Sequence, residues 1–367
     1  MVKPDKILEF IKEKAVSEQQ QMGLKNLVAL FVTGSQLYGT NTETSDFDYE
    51  GVFIEDPEYV IGAKRCDEID FSTNKENTRN TADDVDCKLY SLRKFMDLAK
   101  QNNPNKVEWF FIPEECMVYK NETYWKLLLE AKDLFLSKKI KHSFSGYAHS
   151  QKHKLVTKKK RLDELTSFKS DLEEMMSKPG VRIIGDLDML ETHYVKRYNK
   201  DMDALEHLPN KRLKFPYEKI YYKMMEDGAD SITVAEKSFN FGMPVKNVYD
   251  YVTKEVEKYG QRTLYVKEYG YDLKFGSHLF RLYYEGMQLL QTGNLILPFS
   301  GEEQQKMMAI KRGDYSLDQI LQECESLEPN FDVEYDVSKL RHHPDEEGIS
   351  KLQMALHLKF WKETHEF

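Results

Sequence analysis

The sequence lacks the cysteine patterns that mark disulfide-rich proteins and zinc proteins. Its 367 residues include four cysteines, Cys66, Cys87, Cys116 and Cys324. None belongs to a C-x-x-C pair, and none has a histidine at zinc-ligand spacing. We therefore expect reduced thiols that pack as small apolar residues, without a structural zinc.

Long apolar segments are also absent. No run approaches the roughly 20 residues that a membrane helix needs, and the charged N-terminal segment lacks the apolar core of a signal peptide. We expect a cytoplasmic protein without a membrane partner. Hydrophobic residues make up 40% of the chain and charged residues 31%, which is typical of soluble globular proteins. The length favours more than one domain.

Acidic residues are missing from one stretch of an otherwise acidic chain. The net charge of −9 argues against non-specific coating of nucleic acid, yet residues 134–162 contain nine Lys and Arg and no Asp or Glu. A local basic surface favours a polyanionic ligand. We consider Lys152, Lys154 and Lys158 candidate nucleic-acid contacts. A solvated lysine-rich helix that balances acidic surfaces elsewhere is the alternative, and the sequence leaves both open.

Hydrophobic patterning predicts a small α/β unit at the start of the chain. The apolar run 27–32 before Gly34 is typical of a buried strand. The predicted elements are a helix over 5–20, strands over 27–32, 47–54 and 85–90, a loop over 66–83, a helix over 92–101 capped by Ser91, and a helix over 123–132.

Helical patterns dominate after about residue 134. They cover 138–178, 186–226, 234–260 and 271–291, the last closed by Gly293. The fold class is therefore α+β: a short mixed sheet with flanking helices, followed by a mostly helical domain. We predict a catalytic domain over 1–133, a helical nucleotide- and acceptor-binding domain over 134–300, and an acidic C-terminal region over 301–367 whose role the sequence leaves open.

The candidate phosphate-binding and metal-binding residues begin in the segment from Gly34 to Asp48. A strand that ends in Gly34-Ser35 can turn and cradle phosphate oxygens with its backbone N–H groups. Asp46 and Asp48 follow on the next strand, where alternation puts them on one face. Such paired carboxylates repel each other unless a divalent cation joins them, and oxygen-only ligands suit Mg²⁺ or Mn²⁺.

Phosphoryl transfer with two metal ions about 3.5–4 Å apart needs shared carboxylates, and a third acid is expected on a neighbouring strand. Asp84 and Asp86 both alternate on the third predicted strand. We favour Asp86 because it lies deeper in the apolar part of that strand, with Asp84 as the alternative. A lone Asp-x-Asp is more often a solvated strand face, so the combination with Gly-Ser and the acidic third strand carries the prediction.

A second group of polar residues follows helical spacing on the helix predicted over 271–291. Lys274, His278 and Arg281 share one face, and lysine and arginine make charge-assisted contacts to phosphate. The alternative is a solvated face on which Arg281 pairs with Glu285 one turn later. Spacing alone favours the alternative.

The sequence GSQLYGTNTETSDFDYEGVFI, which begins at Gly34, resembles the motif of the DNA polymerase β-like nucleotidyltransferase superfamily. The resemblance extends to Y-S-L-R-K-F after Asp86, to N-P-N and V-E shortly afterwards, to Y-D-L-K with His278 and Arg281, and to G-N-L-I-L-P from Gly293. These later matches are similar to the branch associated with RNA repair. The likeness covers residues from about 27 to 300 and is weakest in the middle.

The resemblance implies roles for these residues. Gly34 and Ser35 would contact the triphosphate, and Tyr38 of the same motif is a further nucleotide-binding candidate. The aspartates at 46 and 48 would bind both metal ions, and Asp86 would bind the catalytic one and help deprotonate the acceptor. The same likeness favours contacts of Lys274, His278 and Arg281 with the β/γ-phosphates or with the acceptor strand.

The implied reaction is transfer of a nucleoside monophosphate from an NTP, most simply ATP, to an acceptor hydroxyl with release of pyrophosphate. Two Mg²⁺ or Mn²⁺ ions are the expected cofactors, in a cleft between the two predicted domains. We favour an RNA 3′ end as acceptor. The alternatives are a protein or small-molecule hydroxyl, and an inactive module that binds nucleotide or RNA.

Overall fold

The computed structural model describes residues 3–43, 45–73, 85–177, 182–184, 212–214, 221–223, 231–240, 242–258, 266 and 268–365. The chain divides into two compact units, one of residues 1–152 with 274–367 and one of residues 153–273. These limits differ from the predicted boundaries after residues 133 and 300. The functional division into catalytic, helical and C-terminal segments stays a prediction.

The N-terminal segment forms two helices where the sequence predicts one. Helix α1 spans Pro4–Lys14 and α2 spans Glu18–Lys25. Ser17 separates them because its side chain accepts a hydrogen bond from the Gln20 backbone, and the Gln20 side chain accepts one from the Ser17 backbone. This capping box begins a new helix inside the continuous amphipathic pattern.

A five-stranded mixed sheet is the centre of the first unit. Its strands are β1 (Leu27–Thr33), β2 (Asp48–Phe53), β3 (Glu68–Asp70), β4 (Asp86–Ser91) and β5 (Met117–Lys120). The order is β3-β4-β2-β1-β5. Strands β2 and β4 pair in parallel, and the other neighbours pair antiparallel. Every residue of β1 is buried, as expected for a central strand covered on both faces.

Helices flank this sheet. They are α3 (Gly34–Leu37), α4 (Pro57–Val60), α5 (Leu92–Lys100), α6 (Pro104–Val107) and α7 (Glu122–Glu130). The Ser91 side chain caps α5 by accepting a hydrogen bond from the Lys94 backbone, which confirms the predicted helix start. Short 3₁₀ turns follow at Glu108–Phe111, Glu114–Cys116 and Lys132–Leu134.

The loop predicted over 66–83 contains strand β3, so the prediction is wrong for that part. The strand has only three residues, of which Ile69 alone is buried, and so short a segment shows no period. It is held by pairing with β4, a contact that depends on tertiary structure. Residues 74–83 of the predicted loop lie outside the described ranges.

Six long helices follow in the described part of the chain. They are α8 (Ile140–Met176), α9 (Val245–Glu257), α10 (Leu273–Thr292), α11 (Gly301–Arg312), α12 (Leu317–Val337) and α13 (Glu346–Thr364). Gly293 follows α10 with a φ of +67°, the left-handed conformation of a helix C-terminal glycine. The structure thus confirms the predicted end of that helix.

The C-terminal helix α13 belongs to the core of the first unit. Its buried side chains Ile349, Leu356, Phe360 and Trp361 join the cluster that covers β1 and includes Trp109 and Trp125. Two polar contacts to the fully buried Glu55 accompany this packing. His357 Nε2 lies 3.1 Å from Glu55 Oε2, and Trp361 Nε1 donates a hydrogen bond to Glu55 O at 2.7 Å.

The second unit contains a four-stranded antiparallel sheet that the sequence does not predict. Its strands β6 (Arg212–Lys214), β7 (Tyr221–Lys223), β8 (Ser231–Val234) and β9 (Lys237–Asn240) pair in chain order. The predicted helix over 186–226 is therefore wrong at β6 and β7, and the predicted helix over 234–260 is wrong at β9. Strands this short show no alternation that outweighs a helical lysine-rich composition. Within the described ranges, no helix has the length and apolarity to cross a membrane.

Candidate active site

The turn after β1 brings the backbone of Gly34 against an aspartate. Thr33, the last residue of β1, pairs with Asp48 at the start of β2. Gly34 has a φ of +66°, and a Cβ atom at this position would lie 2.6 Å from Asp48 Oδ2. Glycine is thus required twice, for the left-handed conformation and for the close approach of the carboxylate.

Helix α3 shapes the polar loop that follows. The backbone N–H of Tyr38 donates to Gly34 O at 3.2 Å, and that of Thr40 donates to Ser35 O at 2.9 Å. Ser35 is half-buried at the start of this turn. The turn, the loop and Asp48 therefore form one compact segment, as the spacing of the motif predicts.

Three predicted acids act on one another electrostatically. Asp48 and Asp86 are register partners across the parallel pair β2–β4, and Asp46 lies in the loop just before β2. Burial, followed by the charge of Asp46, raises the pKa of Asp48 to about 6. Asp86 acts in the same direction, whereas Lys274 opposes it. Asp46, Asp86 and Lys274 thus all lie within electrostatic reach of Asp48.

The donor set suits a hard divalent cation in its chemistry. All three side chains offer carboxylate oxygens, which Mg²⁺ and Mn²⁺ prefer. Burial and, after it, the charge of Asp46 raise the pKa of Asp48, and a bound cation would offset both effects. Asp86 Oδ1 instead accepts a hydrogen bond from Ser72 Oγ at 3.0 Å. In the described part of the chain, no group of three or more such ligands is gathered closely enough to hold an ion. Asp84 lies outside the described residues.

Arg281 is the centre of a buried polar network. Only 2% of the residue is exposed. Its Nη1 lies 2.8 Å from Glu108 Oε2 and 3.3 Å from Glu285 Oε1, and it also donates a hydrogen bond to Tyr38 Oη. Its Nη2 donates to Asn105 Oδ1 at 2.9 Å. The guanidinium thus joins the motif loop to helices α6 and α10.

The network contains more negative than positive charge. Burial raises the pKa of Glu285 well above its ordinary value and also raises that of Glu108, although Arg281 opposes both shifts. Tyr38 Oη lies 3.0 Å from Glu108 Oε2, and burial raises its pKa too. This environment favours a proton on one of the two carboxyl groups, since a single guanidinium balances only one of them.

The residues of the helix face predicted from spacing differ in their exposure to solvent. Lys274 is exposed and His278 is half-buried, with its Nε2 3.2 Å from Arg281 Nη2. The pairing of Arg281 with Glu285 that we considered as the alternative is present, but it is buried rather than solvated. Sequence spacing did not indicate Glu108, whose contact depends on the tertiary fold.

The candidate nucleic-acid contacts differ in their surroundings. Lys152 Nζ lies 3.2 Å from Glu328 Oε1, and Lys158 Nζ lies 3.9 Å from Asp272 Oδ2. Lys154 is exposed. A bound nucleic acid would therefore compete with carboxylates at two of the three positions.

Lys311 of α11 is a site residue that sequence reasoning missed. Its Nζ donates a hydrogen bond to Thr40 O at 2.7 Å, and Asp46 and Lys274 both act on its charge. The residue lies about 270 positions after the motif in an acidic segment, so neither spacing nor composition indicates it.

Comparison with known proteins was consistent with this geometry. Residues 6–179 match the family described as RlaP, RNA repair pathway DNA polymerase beta family. The chain is 22% identical over 332 residues to an uncharacterized 38.9 kDa protein from the nrdC–mobD intergenic region of enterobacteria phage T4, covering 89% of this chain and 92% of that protein.

A solved structure of a nucleotidyltransferase-like protein from Exiguobacterium sibiricum aligns with 97% of this chain and 91% of its own, at 12% identity and a TM-score of 0.23. At this TM-score the likeness carries no argument. The family match supports a polymerase β-like nucleotidyltransferase fold for residues 6–179.

Proposed function

We propose that this chain, whose residues 6–179 match the RNA repair pathway DNA polymerase β family, transfers a nucleoside monophosphate from an NTP to an RNA 3′ end. ATP is the NTP that we favour. The observation that carries the proposal is the junction of Gly34 with Asp48, because it joins a candidate phosphate-binding turn to the candidate acids.

The backbone turn at Gly34-Ser35 would bind the triphosphate. The Asp48 carboxylate lies beside this turn, because a Cβ atom on residue 34 would be 2.6 Å from Asp48 Oδ2. Phosphate oxygens bind well to exposed N–H groups at such turns. The exposed ammonium of Lys274 would add a charge-assisted contact.

Mg²⁺ or Mn²⁺, as two ions, would be held by Asp46, Asp48 and Asp86. These ions would neutralise the developing phosphate charge and lower the pKa of the acceptor hydroxyl. The protein itself would position the acids: the paired strands β2 and β4 keep Asp48 and Asp86 side by side. Fixed positions of the reacting groups account for much of the rate enhancement in phosphoryl transfer.

An RNA acceptor is favoured by the family description and by the acid-free stretch over 134–162. We propose Lys154 as its most accessible contact, since Lys152 and Lys158 lie near carboxylates. Binding that depends on phosphate contacts weakens steeply with salt. A small-molecule acceptor would show little such dependence.

The test is an incorporation assay with the full chain, Mg²⁺ or Mn²⁺, each labelled NTP, and a mixed pool of short RNA, tRNA and single-stranded DNA. We expect label in RNA from the unaltered protein and none from the double variant Asp46→Asn, Asp48→Asn. A matched control removes two exposed aspartates elsewhere, Asp133→Asn with Asp336→Asn, and should retain activity.

Other outcomes would change the proposal. Metal-dependent label on protein or on a small molecule would move the acceptor away from RNA. No transfer to any acceptor by the folded protein would favour an inactive binding module. Metal binding is measured separately by the rise in melting temperature with Mg²⁺, because a ligand of the native state stabilises it, and Asp48→Asn should abolish that rise.

A further inference from the structure

Helix α11 contacts the motif loop directly. Gln304 Nε2 donates a hydrogen bond to Gly39 O at 2.6 Å. Lys311 Nζ donates to Thr40 O at 2.7 Å and to Thr40 Oγ1 at 3.0 Å. A Cβ atom on Gly39 would lie 3.0 Å from Gln304 Nε2, so the helix and the loop are closely packed. Asp46 follows only six residues after Thr40.

Lys311 differs from the other cations of α11 in its partners. Lys306 Nζ pairs with Glu323, and Arg312 Nη2 lies 2.8 Å from Asp314 Oδ2. Lys311 is bound only by the neutral oxygens of Thr40. Among the residues that the structure describes, no carboxylate lies within ion-pair distance of its ammonium group, and Asp46 acts on its charge only from farther away.

The surroundings of this ammonium group favour an anionic ligand. Lys311 is half-buried. Burial, followed by the charge of Lys274, lowers its pKa to about 8, while Asp46 opposes the shift. Lys274 also acts on Asp48, so both lysines lie beside the candidate acids. A half-buried cation next to a second cation is unfavourable in free energy unless an anion joins them.

We propose that Lys311, together with Lys274, binds the polyphosphate of the nucleotide and makes the site select a nucleoside triphosphate over a nucleoside. The inference rests on the proposed function of the acidic site and deepens it. It assigns part of the nucleotide site to a helix outside the residues 6–179 that match the family.

The geometry at Thr40 prepares Lys311 for this contact. An ammonium group has three N–H donors, and two of them are directed at Thr40 O and Thr40 Oγ1. One donor is left for a phosphate oxygen. Because the side chain is already held in place, little rotamer freedom is lost when the phosphate binds.

The test compares ATP with adenosine, which carries no phosphate. Binding of each to the full chain with Mg²⁺ is measured by titration calorimetry for the unaltered protein and for Lys311→Met. We expect ATP affinity to fall about 10- to 100-fold, the size of one charge-assisted hydrogen bond, and adenosine affinity to stay unchanged. Lys306→Met and Arg312→Met remove the same charge from the same helix and should leave both affinities unchanged.

A second variant separates charge from folding. Lys311→Gln has no charge but can still donate a hydrogen bond to Thr40. If Lys311→Met does not fold, the same measurements are made on Lys311→Gln. Equal ATP affinity in the unaltered protein and the Lys311 variants would overturn the inference and leave the proposed function standing. Parallel loss of ATP and adenosine would also overturn it, because Lys311 would then only hold the loop. Failure of the unaltered protein to bind ATP or any other NTP would overturn the proposed function itself.

Discussion

Replacement of Arg281 by methionine is expected to destabilise the first unit strongly. The guanidinium is 2% exposed and lies between Glu108 and Glu285, which are 2% and 0% exposed. Methionine retains much of the side-chain volume but removes the guanidinium that contacts both carboxyl groups. Removal of one partner from a buried ion pair costs about 3–5 kcal/mol, a large share of the roughly 5–15 kcal/mol that stabilises a typical domain.

Tryptophan fluorescence reports on this unit. All three tryptophans of the chain, Trp109, Trp125 and Trp361, lie in one buried cluster of the first unit. Urea unfolding followed by this signal therefore measures the unit that contains Arg281, without assuming that the full chain unfolds in one step. The exposed Arg312→Met is the control, with an expected change within about 0.5 kcal/mol.

A double variant tests the reasoning. Adding Glu285→Leu to Arg281→Met removes one of the two unpaired carboxyl groups, so part of the lost stability should return. Loss of less than about 1 kcal/mol in Arg281→Met, together with a large loss of ATP affinity, would refute the argument. Arg281 would then act as a phosphate ligand, the role that the family resemblance implies, and not as the centre of a structural network.

Three further predictions follow from geometry on the same unit. Gly34→Ala should lower the rate of nucleotide transfer at least about tenfold and the free energy of unfolding by about 1–2 kcal/mol, because φ is +66° and a carboxylate oxygen would lie 2.6 Å from the new Cβ atom. Its control is Gly146→Ala, whose new Cβ atom would have no heavy atom within 4 Å. This control should stabilise helix α8 by up to about 1 kcal/mol in urea unfolding. ATP affinity, measured by titration calorimetry, should fall as the pH rises through about 8, because Lys311 loses its proton there. Lys311→Arg should abolish this pH dependence, because arginine stays charged. His357→Ala should lower the free energy of unfolding by about 3 kcal/mol, because the buried carboxylate of Glu55 loses its contact with the imidazole ring. Unfolding is followed by tryptophan fluorescence. An unchanged unfolding midpoint in any of the stability variants would contradict the corresponding reasoning.

The part of the fold near the motif was predictable because its signals are local. A seven-residue buried strand, a glycine turn and an Asp-x-Asp segment each have a pattern that is visible within about ten residues. The structure accordingly has β1, β2 and β4 where the sequence predicts strands. The roles of Asp46, Asp48 and Asp86 stay predictions, although their mutual influence on the pKa of Asp48 fits them.

The elements that escaped prediction depend on distant partners. Strand β3 has three residues and is defined by its pairing with β4. Glu108 and Lys311 acquire their significance from contacts with Arg281 and Thr40, separated from them by 173 and 271 residues. Periodicity cannot report such contacts, because it describes only which face of one element is buried.

The docking of α13 has a consequence for biosynthesis. Glu55 and Trp361 are joined by a hydrogen bond across 306 residues, and the intervening chain includes the whole second unit. The ribosome adds about 5–20 residues per second, so the sheet with its acids is made many seconds before the helix that covers it. During that interval the apolar face of β1 and its neighbours lacks part of its cover and is open to aggregation or chaperone binding. Nascent chains that have not reached residues 346–364 should therefore be inactive until helix α13 packs onto the sheet.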